Sequence, residues 1–395
     1  MASKENSKLA LVAVLLTLTA FAVSGNTIPP LATTIAETIG TDYVNFGYIF
    51  MLQFLCFAIA CWFGGKAAEY FGLSDRSLVF IGIFGTGAMV AIGGLLPGIW
   101  WFALWVIPLG AAGGLVDGFG SIMVTKFGRS DSSKMLNICQ VFFCAGAVSA
   151  PYMVSVLLKL SVSWNVIFLL FGGFIILVGL FFTYFTRGKL SASGHDVESA
   201  KSELKISLHK DKVFLMLAGC LFVYVVVECS IVAWVTAYFE KHLELTRDSA
   251  AWRLGMYWLG VGLGRGLMLL VPSKLTLWPA AITGIAGMVV GNFVLSFQLS
   301  SAWATFAVFL AGVAAGPVWP VIVCIAQHFR KSSRFTASVI GAGALGAAVG
   351  PWVSSYIIKY LGWEFFFPVL TGSSIFLFVI MLLANRKTKH ESVES

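Results

Sequence analysis

The chain has 395 residues, of which 58% are hydrophobic and only 11% charged, with a mean hydropathy of +0.90. That balance excludes a water-soluble globular domain and calls for a lipid solvent. The net charge of +8 would suit a polyanion-binding protein, but the placement of the charges along the chain excludes nucleic acid as the partner.

Runs of about 20 apolar residues, enough to cross roughly 30 Å of hydrocarbon, recur twelve times. They fall near Leu9 to Ala32, Val44 to Phe63, Leu78 to Leu96, Trp101 to Val124, Met135 to Leu158 and Trp164 to Phe185. The second set is Val213 to Phe239, Ala250 to Val271, Trp278 to Phe297, Ala302 to Ile325, Phe335 to Tyr360 and Trp363 to Ala384. With the N-terminus on the cytoplasmic side, the alternate loops and both tails hold all but five of the basic residues. Those five are Lys159, Lys241, Arg247, Arg253 and Lys359. This is the positive-inside bias, so both termini are expected in the cytoplasm and the basic surplus reports topology.

The first span carries Asn26 just before Pro29-Pro30. Either the prolines end the helix at the outer surface, or they bend it beside a cavity that Asn26 lines. No small-x-small cleavage site follows the N-terminal apolar run at the right distance, so a retained helix is expected instead of a cleaved signal peptide. The second span contains Gln53, a further candidate solute contact. It runs into Gly64-Gly65-Lys66-Ala67-Ala68-Glu69-Tyr70-Phe71-Gly72, followed by Asp75-Arg76. Glycines allow close approach of helices, and acidic and basic residues in a short loop can pair with helix ends and hold one conformation shut.

Residues Leu109 to Trp164 form a stretch with a partial copy two hundred residues later. Gly346-Ala-Ala-Val-Gly-Pro351 repeats Gly146-Ala-Val-Ser-Ala-Pro151, and Leu310-Ala-Gly-Val-Ala-Ala-Gly316 echoes Leu109-Gly-Ala-Ala-Gly-Gly114. Two copies of one six-helix module follow, an N-terminal bundle over 1-185 and a C-terminal bundle over 213-395. The polar segment 186-212 reads as a cytoplasmic linker. Asp117 was not copied, since Val318 and Trp319 stand where it would recur.

Of the 18 acidic residues, Asp117 in the fourth span and Glu228 in the seventh lie deep within apolar sequence, with no lysine or arginine at similar depth. A charge at mid-bilayer costs about 2.5–3.5 kcal/mol on insertion scales, so each needs a cavity, a partner or a proton. Gain and loss of a proton is the expected compensation. Asp117 is flanked at helical spacing by Gly110, Gly113, Gly114 and Ser121, a smooth stripe that admits either a substrate or another helix. Glu228 has Tyr224 one turn away, which could satisfy it structurally.

In the fifth span Asn137, Gln140 and Cys144 share a face. Amides offer the donors and acceptors that hydroxyls need, although Gln140 could equally bridge helices. Trp234, Trp258 and Trp319 are candidates to stack on an apolar sugar face, against the more common packing role of intramembrane aromatics. The seven cysteines lie in spans without CxxC spacing, so neither disulfide nor metal is expected. No HExxH, GxSxG or phosphate loop is present, and the five histidines are scattered, so no enzyme is expected.

The loop from Gly65 through Glu69 to Arg76 resembles the loop signature of the major facilitator superfamily, and Gly262-Leu-Gly-Arg265 is its second-half echo. Within that superfamily, Tyr224-Val-Val-Val-Glu228-Cys-Ser-Ile-Val-Ala-Trp234, Trp258-Leu-Gly-Val-Gly-Leu-Gly-Arg265, Asp117 and Asn137-Ile-Cys-Gln140 resemble the fucose:proton symporter branch of sugar carriers. The resemblance implies an all-α membrane protein of twelve helices in two six-helix bundles related by pseudo-two-fold symmetry. It further implies alternating access to a central site, in a monomer within the bacterial inner membrane, with lipid and a small polar solute as partners. The solute is expected to be a monosaccharide and the coupling ion a proton at Asp117 and Glu228, with sodium as the alternative. No cofactor or metal is expected. Asn26, Gln53, Asn137, Gln140, Tyr224, Trp258 and Trp319 are the candidate solute contacts, and Gly65, Glu69, Arg76 and Arg265 the candidate gating residues. An exporter of drugs or metabolites on the same fold is the rival reading.

Overall fold

A backbone in hydrocarbon has no water to satisfy its polar groups, so it must bond to itself along each span, and helices do so. The computed structural model describes residues 2–127, 132–187, 211–268, 277–297, 299–329 and 333–394, and among them every regular element is helical. The first unit contains α1 (Ala2–Gly25), α2 (Ala32–Thr38), α3 (Phe46–Phe71), α4 (Asp75–Gly93), α5 (Ile99–Phe127), α6 (Ser132–Lys159) and α7 (Trp164–Thr186). The remaining helices are α8 (Lys212–Lys241), α9 (Arg247–Met268), α10 (Leu277–Leu295), α11 (Ser301–Ala315), α12 (Val318–Phe329), α13 (Ser333–Leu361) and α14 (Phe366–Glu394). Most of the proposed linker, 188–210, lies outside the described residues.

Among the described residues eleven segments are long and apolar enough to cross a membrane, α1 with α2 counting as one and α11 with α12 as another. The twelfth helix of membrane length is α9, with 22 residues, whose Arg247, Asp248, Arg253 and Arg265 lower its hydropathy. Large apolar side chains face outward all round, among them Leu169 at 60% and Leu177 at 65% exposure on α7. In water such faces would aggregate; in a bilayer lipid covers them.

The chain divides into two compact units, Met1–Asp196 with Leu245–Gly255, and Val197–Glu244 with Met256–Ser395. In the first unit α1 packs on α6, α7 and α5, α3 on α5, and α4 on α5 and α7. In the second, α8 packs on α13 and α14, and α10 on α14, α11 and α12.

The duplicated glycines explain how the corresponding pairs come so close. A Cβ on Gly146 would lie 2.2 Å from the Thr19 carbonyl of α1, and one on its copy Gly346 would lie 2.4 Å from the Phe222 carbonyl of α8. Likewise Gly110 and Gly114 of α5 abut the Gln53 and Phe57 carbonyls of α3, while Gly312 and Gly316 abut those of Tyr257 and Val261 in α9. Small residues let helices associate through backbone contact where lipid supplies no hydrophobic drive between them.

Two spans depart from continuous helices. The first ends as α1 at Gly25, turns through a 3-10 segment at Pro29–Leu31 and resumes as α2, all three of those residues being buried. The prolines therefore bend the span without ending it. The tenth span, expected to be continuous from Ala302 to Ile325, is broken at Gly316-Pro317 into α11 and α12. Proline removes an N–H and clashes with the preceding turn. Pro151 and Pro351, by contrast, lie inside unbroken helices.

Buried polar side chains are mostly spent on packing. Asn292 donates to Ser374 at 3.0 Å, and Ser354 to Ser230 at 2.8 Å. Trp234, fully buried on α8, donates its Nε1–H to the Pro351 carbonyl at 2.9 Å. It is a packing residue and not a platform open to a ligand. Trp234→Phe should lower the melting temperature through loss of the ~1 kcal/mol this hydrogen bond contributes, the Pro351 carbonyl keeping its donor within α13. The apparent KM for solute should stay unchanged; a large KM effect in transport assays would restore Trp234 as a ligand contact.

Candidate functional site

In the first unit the candidate centre is Asp117, held on α5 one turn beyond Gly113 and Gly114. Gly114 lies against the Phe57 carbonyl of α3, and Gly113 against the Phe21 ring of α1. The glycine stripe therefore admits neighbouring helices, and in doing so draws α1 and α3 in around the carboxyl. Asp117 is partly exposed and makes no hydrogen bond or ion pair among the described residues. Cys61 of α3 and Cys139 of α6 lie within electrostatic reach of it, with Ser121 bonded to Cys139. Cys61 donates its S–H to the Gly114 carbonyl at 3.4 Å. An acid with two thiols in electrostatic reach, and no cation acting on it among the described residues, can take up and lose a proton without breaking an ion pair. The cysteines carried no motif that would have marked them; only the fold brings them beside Asp117.

Several other candidates lie in the same unit. Asn26 is buried, its Nδ2 donating to the Ala22 carbonyl at 2.9 Å, which satisfies an α1 carbonyl near the bend. Gln53 and Gln140 are half-buried, and the Asn137 side chain lies outside the described residues.

At the loop between α3 and α4, Gly65 has open space where a Cβ would go and Glu69 is exposed, without a partner among the described residues. Gly72 caps α3 in the left-handed conformation (φ 63°) that glycine adopts without strain. Arg76 donates to the Thr186 hydroxyl at 2.9 Å and the Thr183 carbonyl at 3.3 Å, tying the start of α4 to the end of α7. The acid that finds a base is Asp75, paired with Lys126 of α5. Its signal in sequence was its place in the first turn of α4, where the helix dipole favours an anion. Because Lys126 is well exposed, Lys126→Ala should cost no more than ~1 kcal/mol of stability in a denaturation series.

In the second unit Glu228 and Tyr224 are buried on α8, and the Tyr224 hydroxyl lies 2.8 Å from Glu228 Oε1 and 3.0 Å from the Ala315 carbonyl. Against the expectation of no base near its depth, Glu228 has Arg265 of α9 within electrostatic reach, brought there by the packing of α9; Arg265 also donates Nε–H to the Gly316 carbonyl at 3.4 Å. Tyr257 of α9 is fully buried within electrostatic reach of both, and its hydroxyl has no hydrogen-bond partner among the described residues. Trp258 is buried, its ring 6.0 Å from that of Tyr257, and Trp319 is half-buried just beyond the break in the tenth span.

In the register set by the paired glycines, Tyr257 occupies in α9 the place of Gln53 in α3, and Arg265 that of Cys61. The two units thus share a scaffold and differ in chemistry: a free acid among thiols in one, an acid with phenols and a guanidinium in the other. Among the described residues no group of histidines, cysteines and carboxylates could hold a metal.

The fold and these centres define a class, a polytopic all-helical carrier built from two six-span modules. Residues 13–342 match the family described as the Major Facilitator Superfamily. The chain belongs to that superfamily of transporters. It is 21% identical to Bypass of stop codon protein 6 of Saccharomyces cerevisiae over 413 residues, covering 94% of this chain and 81% of the yeast protein. Among solved structures it is similar to the partially occluded inward-open xylose transporter XylE from E. coli, with a TM-score of 0.75 at 15% identity over 95% of this chain and 98% of that one. It is also similar to a bacterial homologue of the human lysosomal transporter Spinster in an inward-facing, unoccupied conformation. There the TM-score is 0.71 at 15% identity over 96% of this chain and 95% of that one. At that identity the structural likeness establishes the fold.

Proposed function

We propose that this protein imports a small polyhydroxylated solute, a monosaccharide, coupled to protons by alternating access in a bacterial inner membrane, as a monomer with both termini cytoplasmic. The observation that carries the coupling is Asp117, an intramembrane carboxyl without an ion-pair partner among the described residues. A group free to change charge can favour one access state when protonated and another when ionised, and that difference is what couples ion to cargo. The sugar class rests on the fucose:proton symporter resemblance of the fourth, fifth, seventh and eighth spans, and is supported by the shared fold of the xylose transporter. Gln53, Gln140 and Asn137 are the proposed hydroxyl contacts, with Asn26, Tyr224, Trp258 and Trp319 shaping the path. Gly65, Glu69, Arg76 and Arg265 are proposed to govern access.

Proteoliposomes with an imposed proton gradient test this. Uphill uptake of at least one monosaccharide from a labelled panel is expected, collapsing with a protonophore. Uptake driven equally by a sodium gradient at uniform pH would replace proton by sodium coupling. No sugar uptake, together with proton-driven extrusion of dyes, would overturn the import reading in favour of the exporter.

A further inference from the structure

The hydroxyl of Tyr224 lies within hydrogen-bond distance of two acceptors, Glu228 Oε1 and the Ala315 carbonyl oxygen, and these are its hydrogen bonds among the described residues. A phenol has one proton to give. If Tyr224 gives it to an ionised Glu228, the Ala315 carbonyl loses its donor; if it gives it to Ala315, Glu228 must supply the second proton. The second arrangement satisfies all three groups, with the Glu228 O–H donating to Tyr224 Oη and the Tyr224 O–H donating to Ala315. Buried polar groups are overwhelmingly found satisfied, and an orphaned one costs ~1–3 kcal/mol.

Two features of the surroundings favour this arrangement. The Ala315 carbonyl is the last of α11, at a break where Pro317 and Pro320 lack the N–H groups that would pair with Val313 and Gly316, so this end of the helix depends on side-chain donors. The neighbouring Gly316 carbonyl takes one from Arg265. Tyr257, meanwhile, keeps its buried hydroxyl unspent within electrostatic reach of Glu228, where a bare carboxylate would call for donors. The titratable and charged groups within electrostatic reach of Glu228 are Tyr224 and Cys229 on its own helix and Tyr257 and Arg265 on α9, of which Arg265 alone is a cation that works against the proton. No titratable group of α12, α13 or α14 acts on it among the described residues.

We propose that Glu228 holds a proton in this conformation, and that this proton fastens the broken tenth span to α8 through Tyr224 and the Ala315 carbonyl. The clamp deepens the reading of Glu228 as a coupling group by giving its proton a place and a consequence. Loss of the proton pulls the Tyr224 O–H back to the carboxylate and frees the end of α11. Glu228 and Tyr224 then act on the break in the span and need not touch solute.

Infrared difference spectroscopy of purified protein, without solute or gradient, tests this at neutral pH. The wild type should show the carbonyl-stretch band of a protonated carboxyl, shifted in heavy water and absent in Glu228→Gln. Tyr224→Phe should move that band to the higher frequency of a weaker hydrogen bond. Glutamine can donate to Tyr224 as the protonated acid does, so Glu228→Gln should keep the wild-type melting temperature while Glu228→Ala melts several degrees lower. Carboxylate bands in place of the acid band, a band indifferent to Tyr224→Phe, or a Glu228→Gln variant as unstable as Glu228→Ala would each overturn the clamp. If Glu228→Gln fails to fold, the band is assigned with Asp117→Asn: an acid band that survives Asp117→Asn and moves in Tyr224→Phe belongs to Glu228. Failure of gradient-driven uptake, by contrast, would overturn the transport reading and leave this result standing.

Discussion

Asp117→Asn should abolish proton-driven accumulation while leaving solute exchange across the membrane partly intact. One pH unit of gradient stores about 1.4 kcal/mol per proton, which supports about tenfold accumulation by a one-proton carrier. The variant should fall to a ratio near one under the same gradient. Asparagine keeps the size and hydrogen-bonding capacity of a protonated aspartic acid, so it fixes the site in one protonation state without emptying it. Because Asp117 makes no ion pair among the described residues, no buried cation is orphaned by the change, and folding should survive. Counterflow of labelled solute is the measurement that separates lost coupling from lost binding. Unchanged uphill uptake by Asp117→Asn would remove Asp117 from the mechanism.

Gly312→Val should produce the largest structural failure. Its new Cβ would stand 2.2 Å from the Tyr257 carbonyl oxygen of α9, and the matching Gly110→Val would place one 2.3 Å from the Gln53 carbonyl of α3. Neither obstacle is a side chain that can swing aside; both are helix backbone, so the helices must separate. Overpacking of a tight contact costs roughly 1–3 kcal/mol and sometimes more. Here separation would also pull α9 away from the Gly316 carbonyl that Arg265 meets and from the neighbourhood of Glu228. Loss of monodisperse protein on size exclusion, or a large drop in melting temperature, is the expected readout. Gly219→Ala on α8 is the control: open space surrounds it, and alanine in a helix gains up to about 1 kcal/mol over glycine. Wild-type behaviour of Gly312→Val would show that the α9–α11 contact is looser than these distances.

How much the sequence reveals of each feature depends on how local its physical requirement is. The copy of Gly146 to Pro151 at Gly346 to Pro351 was legible because each glycine must press on a neighbouring backbone, a requirement with no substitute residue. The glycines around Asp117 were legible as a smooth stripe, but whether a substrate or a helix fills such a stripe depends on a partner far away in the chain. Tyr224 could be paired with Glu228 from their spacing of one turn. Its second acceptor, Ala315, could not, because a backbone carbonyl becomes available only where another helix is broken. The pairing of Asp75 with Lys126, and the company of Cys61 and Cys139 around Asp117, were equally invisible, since nothing in local sequence says which spans touch.

The sequence by itself determined the solvent, the number of spans, the twofold repeat and the two acids set in apolar surroundings. Those follow from transfer free energies and helical geometry, which act residue by residue and need no knowledge of contacts. Tertiary structure decided what each acid faces. It left Asp117 without a fixed partner among the described residues and locked Glu228 through Tyr224 to the break in the tenth span. A side chain's chemistry is set by the groups within a few ångströms, and in a bundle those come from other helices.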